Sequence, residues 1–153
     1  MKPILKFSLH IAREMKTRLF ISLIGVLVIA SSCNKELKAG DPLPLTYDKV
    51  YMIGDATPAA WTIANAVPMT KSSENEFTWT GPLTAGEIKF PTALSFSSDT
   101  FGAATNGQAI SNNKARLLPS GNPDVKWKLT GAEAGNYKIT LNTRDVTVTF
   151  QKQ

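Results

Sequence analysis

The chain has 153 residues and a formal net charge of +5, with 17 Lys and Arg against 12 Asp and Glu. This length suits one domain with a modest core. The single histidine, His10, and the single cysteine, Cys33, both precede Asn34. The rest of the chain therefore excludes Ser-His-Asp and Cys-His catalysis, the usual zinc sites and thiol redox chemistry, and we predict no cofactor and no metal site.

Residues 15–32 have the pattern of an export signal. Basic residues lead, an apolar run from Leu19 to Ala30 follows, and small residues come before a cysteine. The apolar run is too short to span a bilayer comfortably as a mature transmembrane helix. We therefore predict a signal peptide over residues 1–32. Its first 14 residues form an additional basic and apolar segment that a signal does not need, so our hypothesis is that Met15 is the true start.

Cys33 directly follows the small residues Ser31 and Ser32. This arrangement resembles the lipobox of bacterial lipoproteins, with Ala30 at the position that usually carries Leu. The resemblance implies that Cys33 is diacylated and begins the mature protein. An ordinary cleaved signal, an uncleaved anchor, and a free or intermolecularly paired thiol are the alternatives. Residues 33–47 then form the lipidated cysteine and a tether, which is polar at first and later interrupted by prolines.

Removal of residues 1–32 changes the charge of the chain. That segment holds five basic residues and one acidic residue, so the mature chain keeps 12 basic residues against 11 acidic ones and a net charge of +1. The excess positive charge belongs to the export signal rather than to a folded face. We therefore expect no nucleic-acid partner.

Short alternating runs bounded by Gly, Pro and Asn predict β-strands in the rest of the chain. The runs cover residues 50–53, 77–80, 88–90, 125–129, 137–141 and 146–150. The polar residues 142–145 predict a hairpin turn between the last two runs. Short strands at this spacing predict an all-β fold, an antiparallel immunoglobulin-like β-sandwich that forms a single domain over residues 48–152.

Residues 92–121 depart from this pattern, because they are rich in Ser, Thr, Asn, Gly and Ala and have only isolated apolar residues. A structureless loop of this length is uncommon inside a compact domain. We therefore predict one or two irregular edge strands and a functional loop in this stretch.

The aromatic residues divide into two groups. Trp79, Trp127 and Tyr137 alternate with apolar residues, so we predict that they face the core. Trp61 lies in a stretch without two-fold alternation, bounded by prolines. Two interpretations of Trp61 stay open: a lid on the edge of the core, or an exposed platform on which the apolar face of a sugar ring stacks.

Six stretches, taken in order along the chain, suggest a family. They are Tyr-Met-Ile-Gly-Asp-Ala-Thr-Pro-Ala-Ala-Trp at 51–61, Pro-Met-Thr-Lys at 68–71, Phe-Thr-Trp at 77–79, Leu-Thr-Ala-Gly-Glu-Ile-Lys-Phe at 83–90, Lys-Trp-Lys-Leu-Thr at 126–130 and Ala-Gly-Asn-Tyr-Lys-Ile-Thr-Leu at 134–141. Together they resemble the SusE/SusF-type domains of Bacteroidetes outer-membrane lipoproteins. The likeness covers nearly all of residues 48–152.

This resemblance implies a non-catalytic carbohydrate-binding β-sandwich that captures starch or a related polysaccharide within a polysaccharide-utilisation system. The expected partners are a polysaccharide or oligosaccharide, with α-glucan favoured, the outer-membrane lipid through acylated Cys33, and a SusC/SusD-like transporter complex. The expected location is the outer membrane, with the cell surface favoured over the periplasmic face.

In starch-binding members of that family, aromatic side chains stack on the glucan and Lys, Arg or Asn bind its hydroxyl groups. Trp61 occupies the place of one stacking residue. A second tryptophan is expected after the strand at residues 88–90, but this chain offers phenylalanines there. The predicted carbohydrate-binding residues are Trp61, Phe101, Phe96, Lys89, Asn112, Lys114 and Arg116.

The sequence also bears on two other functions. A structural or assembly module without a sugar site is favoured by the missing second tryptophan, and a buried Trp61 would favour it further. A glycosidase would need two carboxylates about 5 to 9.5 Å apart across a cleft. The available acids, Asp55, Glu87, Asp99 and Asp124, all lie at turns or strand edges, where acids are ordinary. We therefore predict that the protein is not an enzyme.

Overall fold

The computed structural model describes residues 46–153. The predicted signal peptide, the hypothetical start at Met15, the predicted lipidation site Cys33 and the tether through residue 45 lie outside the described residues. Within residues 46–153 the fold is all-β, with three short 3₁₀ segments at Ile63–Asn65, Pro119–Gly121 and Gly131–Glu133. No helix in this part of the chain is long and apolar enough to cross a membrane.

The described residues form twelve short strands. They are β1 (Tyr51–Met52), β2 (Val67–Pro68), β3 (Thr70–Ser73), β4 (Glu76–Leu83), β5 (Gly86–Ile88), β6 (Phe90–Pro91), β7 (Thr100–Ala103), β8 (Gln108–Ala109), β9 (Ala115–Leu118), β10 (Trp127–Leu129), β11 (Gly135–Asn142) and β12 (Thr147–Lys152). All six predicted runs contain strand residues, and β2, β3, β7, β8 and β9 lie outside those runs.

The longest strands build a four-stranded antiparallel sheet in the order β12-β11-β4-β3. Strands β11 and β12 pair continuously from Tyr137 opposite Lys152 to Asn142 opposite Thr147, which confirms the predicted hairpin. Side chains alternate between the two faces of a strand. In β11 this alternation buries Tyr137, Ile139 and Leu141 in the core.

The remaining strands form smaller sheets in the orders β5-β10-β8, β6-β7-β9 and β1-β2. A backbone bridge between Ile53 and Lys89 connects the end of β1 to the junction of β5 and β6. The pairs are antiparallel except for β8 with β10, which is parallel. The predicted all-β fold with antiparallel sheets is confirmed, and the core of the β-sandwich takes side chains from the four-stranded sheet and from the smaller ones.

An aromatic cluster fills one part of this core. Phe90 and Trp127 are fully buried and meet edge to face, with 5.7 Å between ring centroids. Phe150 packs against both rings. The indole Nε1 of Trp127 donates a hydrogen bond to the backbone oxygen of Asn112, so its polar atom is satisfied. The core positions predicted for Trp127 and Tyr137 are confirmed, and Trp79 packs against the core from a partly buried position.

Residues 92–121 contain three strands, β7, β8 and β9, which is more regular structure than predicted. All four residues of β7 are buried. A strand that is covered on both faces has no polar side to alternate with, so its sequence lacks the two-fold pattern. This is why the alternation of polar and apolar residues did not reveal β7.

The position of Phe101 in β7 overturns one prediction. Its side chain is fully buried, and its ring meets Tyr47 edge to face at 5.3 Å between centroids. Phe101 is therefore a core residue, and its assignment to the sugar-binding site is wrong. Tyr47, which the sequence placed at the end of the tether, packs against the core of the domain.

Two phenylalanine variants test this division between core and surface. Phe101→Ala should lower the free energy of unfolding by about 3 to 5 kcal/mol, because it leaves a cavity in a close-packed core. Phe96 is 48% exposed, and Phe96→Ala should change that free energy by less than about 1 kcal/mol. Denaturant unfolding of both variants measures the difference. Equal losses would contradict the placement of Phe101.

Candidate functional site

Trp61 is held by a tight loop that follows β1. The backbone N–H of Gly54 donates to the carbonyl of Ala60, and both the N–H and the hydroxyl of Thr57 donate to the carbonyl of Gly54. Gly54 has a φ of +137°, and a Cβ there would lie 2.0 Å from the backbone oxygen of Glu87. Only glycine allows both this conformation and this close approach. The loop therefore presses against β5 and places the half-exposed Trp61 beside it.

Two lysine side chains lie against the indole of Trp61. The Nζ atom of Lys89 is 5.8 Å from the ring centroid and that of Lys126 is 5.6 Å from it. The Nζ of Lys89 is also 5.6 Å from the ring centroid of Phe96. These distances lie within the range of cation–π attraction. The ammonium group of Lys89 therefore contacts both aromatic rings.

Asp124 joins the two lysines. Lys89 Nζ donates to one carboxylate oxygen, Oδ1, at 2.7 Å, and Lys126 Nζ donates to the other, Oδ2, at 2.8 Å. Lys126 Nζ also lies 3.8 Å from Glu87 Oε2. We call this group the Trp61 patch. It consists of Trp61, Phe96, Lys89, Lys126, Asp124 and Glu87.

The shared carboxylate shows where the two cations stand relative to the indole. Two ammonium groups directly above and directly below the ring centroid would be separated by the sum of their distances to it. The single carboxylate of Asp124, bonded to both at under 3 Å, cannot span that separation. Lys89 and Lys126 therefore do not stand directly above and below the ring, and Asp124 holds their two ammonium groups together beside it.

The charged groups of the patch differ in their exposure. The side chain of Lys89 is 7% exposed and that of Lys126 is 13% exposed, whereas the side chain of Asp124 is 58% exposed. Lys89 points away from the apolar core, as the alternation around it predicts. However, it is enclosed by aromatic rings and a carboxylate instead of reaching into solvent.

The lysines also affect the acidity of Asp124. Partial burial by itself would raise the pKa of Asp124, but the hydrogen bonds from Lys126 and Lys89 and their positive charges outweigh it. The pKa of Asp124 consequently lies below its ordinary value. A glycosidase needs a carboxylic acid with a raised pKa as its proton donor. The pKa of Asp124 is lowered instead, and the other carboxylate of the patch, that of Glu87, contacts Lys126.

A self-bonded loop carries Phe96. The backbone N–H and the hydroxyl of Thr92 both donate to the carbonyl of Asp99, at 2.9 and 2.8 Å, which closes the base of the loop. The carboxylate of Asp99 accepts a hydrogen bond from the N–H of Ser120. The loop thus has a defined shape and presents two exposed apolar side chains, Leu94 and Phe96.

The structure brings together Trp61, Phe96 and Lys89 among the seven predicted site residues. The three polar candidates, Asn112, Lys114 and Arg116, are exposed but make their contacts outside the Trp61 patch. Asn112 Oδ1 accepts a hydrogen bond from the N–H of Lys114, and Arg116 pairs with Gly102 in the β7–β9 ladder. In the part of the chain that the structure describes, no hydrogen bond, ion pair or cation–π contact connects these three residues to the Trp61 patch.

Sequence reasoning missed Lys126 and Asp124 as site residues. One signal was present, because Lys126 precedes the core residue Trp127 and must point to the opposite face. The second signal comes from strand register. Trp127 pairs with Ile88, and continuing this antiparallel register by one residue sets Lys126 beside Lys89. Like charges in such a position destabilise a sheet unless an anion lies between them.

The patch offers an apolar ring face, charged donors and carboxylate acceptors. Within residues 46–153, no group of three or more His, Cys, Asp or Glu side chains could hold a metal ion. The groups of the patch can take part in stacking, ion pairing and hydrogen bonds.

Comparison with known proteins gave one match. The family model for SusF/SusE starch specific CBMs, where CBM denotes a carbohydrate-binding module, matches residues 49–149. The match covers the described domain almost completely and includes every member of the Trp61 patch. No curated protein and no solved structure matches the chain significantly.

The lowered pKa of Asp124 predicts how stability depends on pH. A carboxyl group whose pKa is lower in the folded protein than in the unfolded chain stabilises the fold above its unfolded pKa, ordinarily about 3.9. That contribution is lost as the pH falls through the lowered folded value. The stability difference between the natural protein and Asp124→Asn should therefore be present at neutral pH and shrink below about pH 4.

Denaturant unfolding at a series of pH values measures this difference. Asp145→Asn is the matched control, since Asp145 is exposed in the turn between β11 and β12. A difference between the natural protein and Asp124→Asn that stays constant down to pH 2 would contradict the ion-pair account.

Proposed function

We propose that this chain, which belongs to the SusF/SusE family of starch-specific carbohydrate-binding modules, binds starch or a related α-glucan at the Trp61 patch without catalysing its cleavage. One observation carries the proposal: the indole of Trp61 is half-exposed and lies beside two lysines that share a solvent-exposed carboxylate. A pyranose ring has an apolar C–H face that matches a flat indole.

The polar groups of the patch suit the hydroxyl groups of a sugar. Each hydroxyl both donates and accepts hydrogen bonds, so a glucan needs acceptors as well as donors. Asp124, with a side chain that is 58% exposed, supplies acceptor oxygens, and Lys126 supplies a donor. Two lysines face two carboxylates, so the patch as a whole is balanced in charge. That balance suits an uncharged glucan better than an anionic one.

Phe96 provides the second apolar surface in this proposal. It stands on the exposed loop at residues 92–99, and its ring is close to the same ammonium group that contacts Trp61. Its phenyl ring offers a smaller stacking face than an indole. We therefore expect this site to bind glucan more weakly than a site with two tryptophans.

Asp124 supports a role in binding rather than in catalysis. It is held by both lysines and its pKa is lowered, so it does not match the acid of a glycosidase pair, whose pKa is raised. Carbohydrate-binding modules hold a polysaccharide near enzymes that act on it. In our proposal the protein performs this capture step only.

The cellular setting is part of the proposal. The export signal in residues 1–32 and the position of Cys33 support a lipoprotein of the outer membrane, and membership of the family supports a place in a polysaccharide-utilisation system. The domain would stand off the membrane on residues 33–47. We favour the cell surface as its location and a SusC/SusD-like transporter complex as its neighbour.

An assembly module without a sugar site is the second candidate. The observation that favours it is that Trp79 and Trp127 belong to the core, so Trp61 is the single tryptophan of the patch. Under this alternative, Trp61 and Phe96 would contact a partner protein. The two functions differ in their response to soluble glucan.

Calorimetric titration with maltoheptaose and a panel of other oligosaccharides tests the proposal. The processed protein, purified in detergent, should bind maltoheptaose, and Trp61→Ala should weaken binding at least about tenfold, which corresponds to about 1.4 kcal/mol. Arg116→Ala is the matched control and should bind like the natural protein. Circular dichroism verifies that each variant is folded. The absence of a heat of binding with every oligosaccharide of the panel would favour the assembly module.

The lipid anchor has a separate test. Cells that express the protein and are fed labelled palmitate should incorporate the label into it, and Cys33→Ala should abolish that incorporation. Added protease should cleave the natural protein on intact cells if it faces outward. Label that persists in Cys33→Ala would contradict the assignment of Cys33.

A further inference from the structure

Lys89 is the least exposed charged side chain of the Trp61 patch. Its side chain is 7% exposed, yet its ammonium group lies 2.7 Å from Asp124 Oδ1 and less than 6 Å from the ring centroids of Trp61 and Phe96. A buried charge is costly unless partners surround it. The three partners of Lys89 satisfy that requirement and leave little of its side chain for a ligand to reach.

The partners of Lys89 come from three separate parts of the chain. Trp61 follows the loop after β1, Phe96 stands on the loop at residues 92–99, and Asp124 precedes β10. Each of these segments is joined to the same ammonium group. Its contacts therefore link three loops that sequence separates by about thirty residues each.

The backbone of Lys89 is fixed as well. Its N–H donates to the carbonyl of Ile53 and its carbonyl accepts from the N–H of Ile53, both at 3.0 Å. Ile53 immediately precedes Gly54, where the loop that carries Trp61 begins. Lys89 is thus tied to that loop by its backbone and to the ring of Trp61 by its ammonium group.

From this geometry we infer that Lys89 and Asp124 are positioning residues, which set the rings of Trp61 and Phe96 relative to each other. Lys89 then acts through the two rings. The sequence had instead predicted that Lys89 binds sugar hydroxyl groups directly. Asp124 holds the ammonium group in place. This positioning of the two rings is independent of the proposed function. Its effect on glucan binding, however, rests on the proposed function.

Lys126 provides the matched comparison. It shares Asp124 with Lys89 and lies at almost the same distance from Trp61. Among residues 46–153, however, its cation–π contact is with Trp61 alone, while Lys89 contacts Trp61 and Phe96. Replacing either lysine by methionine removes the charge and keeps a chain of similar length. Lys89→Met should disturb both rings, whereas Lys126→Met should disturb only Trp61.

Nuclear magnetic resonance of the ligand-free protein measures this difference. The processed protein in detergent carries labelled phenylalanine rings and tryptophan indoles, with the signals assigned by their loss in Phe96→Leu and Trp61→Phe. We expect Lys89→Met to shift both signals and Lys126→Met to shift only that of Trp61. Equal shifts of the Phe96 signal in the two variants, or no shift in Lys89→Met, would overturn the inference.

A pH titration of the Trp61 indole signal tests the role of Asp124. Asp124 is faced by Lys89 and Lys126, and Glu87 reaches the group through Lys126. The indole signal should move as the pH falls below the ordinary range of an aspartate, and Asp124→Asn should remove that response. Asp124→Glu should restore it, and Glu87→Gln should retain it. A response that survives in Asp124→Asn would overturn the role of Asp124.

A double-mutant cycle carries the inference to binding. Because Lys89 acts in part through Phe96, the loss of maltoheptaose affinity in the variant with both Lys89→Met and Phe96→Ala should be smaller than the product of the two single losses. The pair Lys126→Met and Phe96→Ala should instead lose affinity by the product of the two single losses. Multiplicative losses in the Lys89 pair would overturn the inference. Failure of every variant and of the natural protein to bind glucan would refute the proposed function, while the ligand-free measurements would still decide the role of Lys89.

Discussion

The ion pairs of one carboxylate organise this domain's candidate site. Lys89 directly follows β5 and Lys126 directly precedes β10, the strand that pairs with β5, and two like charges in such neighbouring positions would repel each other. Asp124 places one oxygen on each ammonium group, at 2.7 and 2.8 Å. With that repulsion offset, both lysines can lie against Trp61, and the enclosed lysine can also reach Phe96. The arrangement of the aromatic surface thus depends on the charge of a single side chain.

The core and the site lie on opposite faces of the chain at the points where β6 and β10 begin. Phe90 and Trp127 meet edge to face inside the sandwich, and their chain neighbours Lys89 and Lys126 point to the other side. Alternation along a strand produces this division directly. The rigid aromatic pair therefore fixes the backbone from which the lysines project. A ligand-binding surface built on such strands has its charged groups positioned before any ligand arrives.

These features explain how a domain whose described residues hold no histidine and no metal-binding cluster fits a family of carbohydrate-binding modules. Stacking needs a flat, accessible ring, and hydroxyl recognition needs donors and acceptors near it. The Trp61 patch has both, held by loops that bond to themselves at residues 54–60 and 92–99. In the proposed function these groups bind glucan, and Phe96 provides the second apolar surface.

The sequence by itself determined the all-β class, the hairpin at residues 142–145, the core position of Trp127 and the separation of Trp61 from any alternating strand, because each of these follows from local periodicity. Tertiary structure decided the rest. Phe96 and Phe101 lie in the same irregular stretch, yet one is 48% exposed and the other fully buried, because β7 is covered on both faces. Strand register and loop closure place Lys126 and Asp124 in the site, because they bring together residues that no local sequence pattern relates.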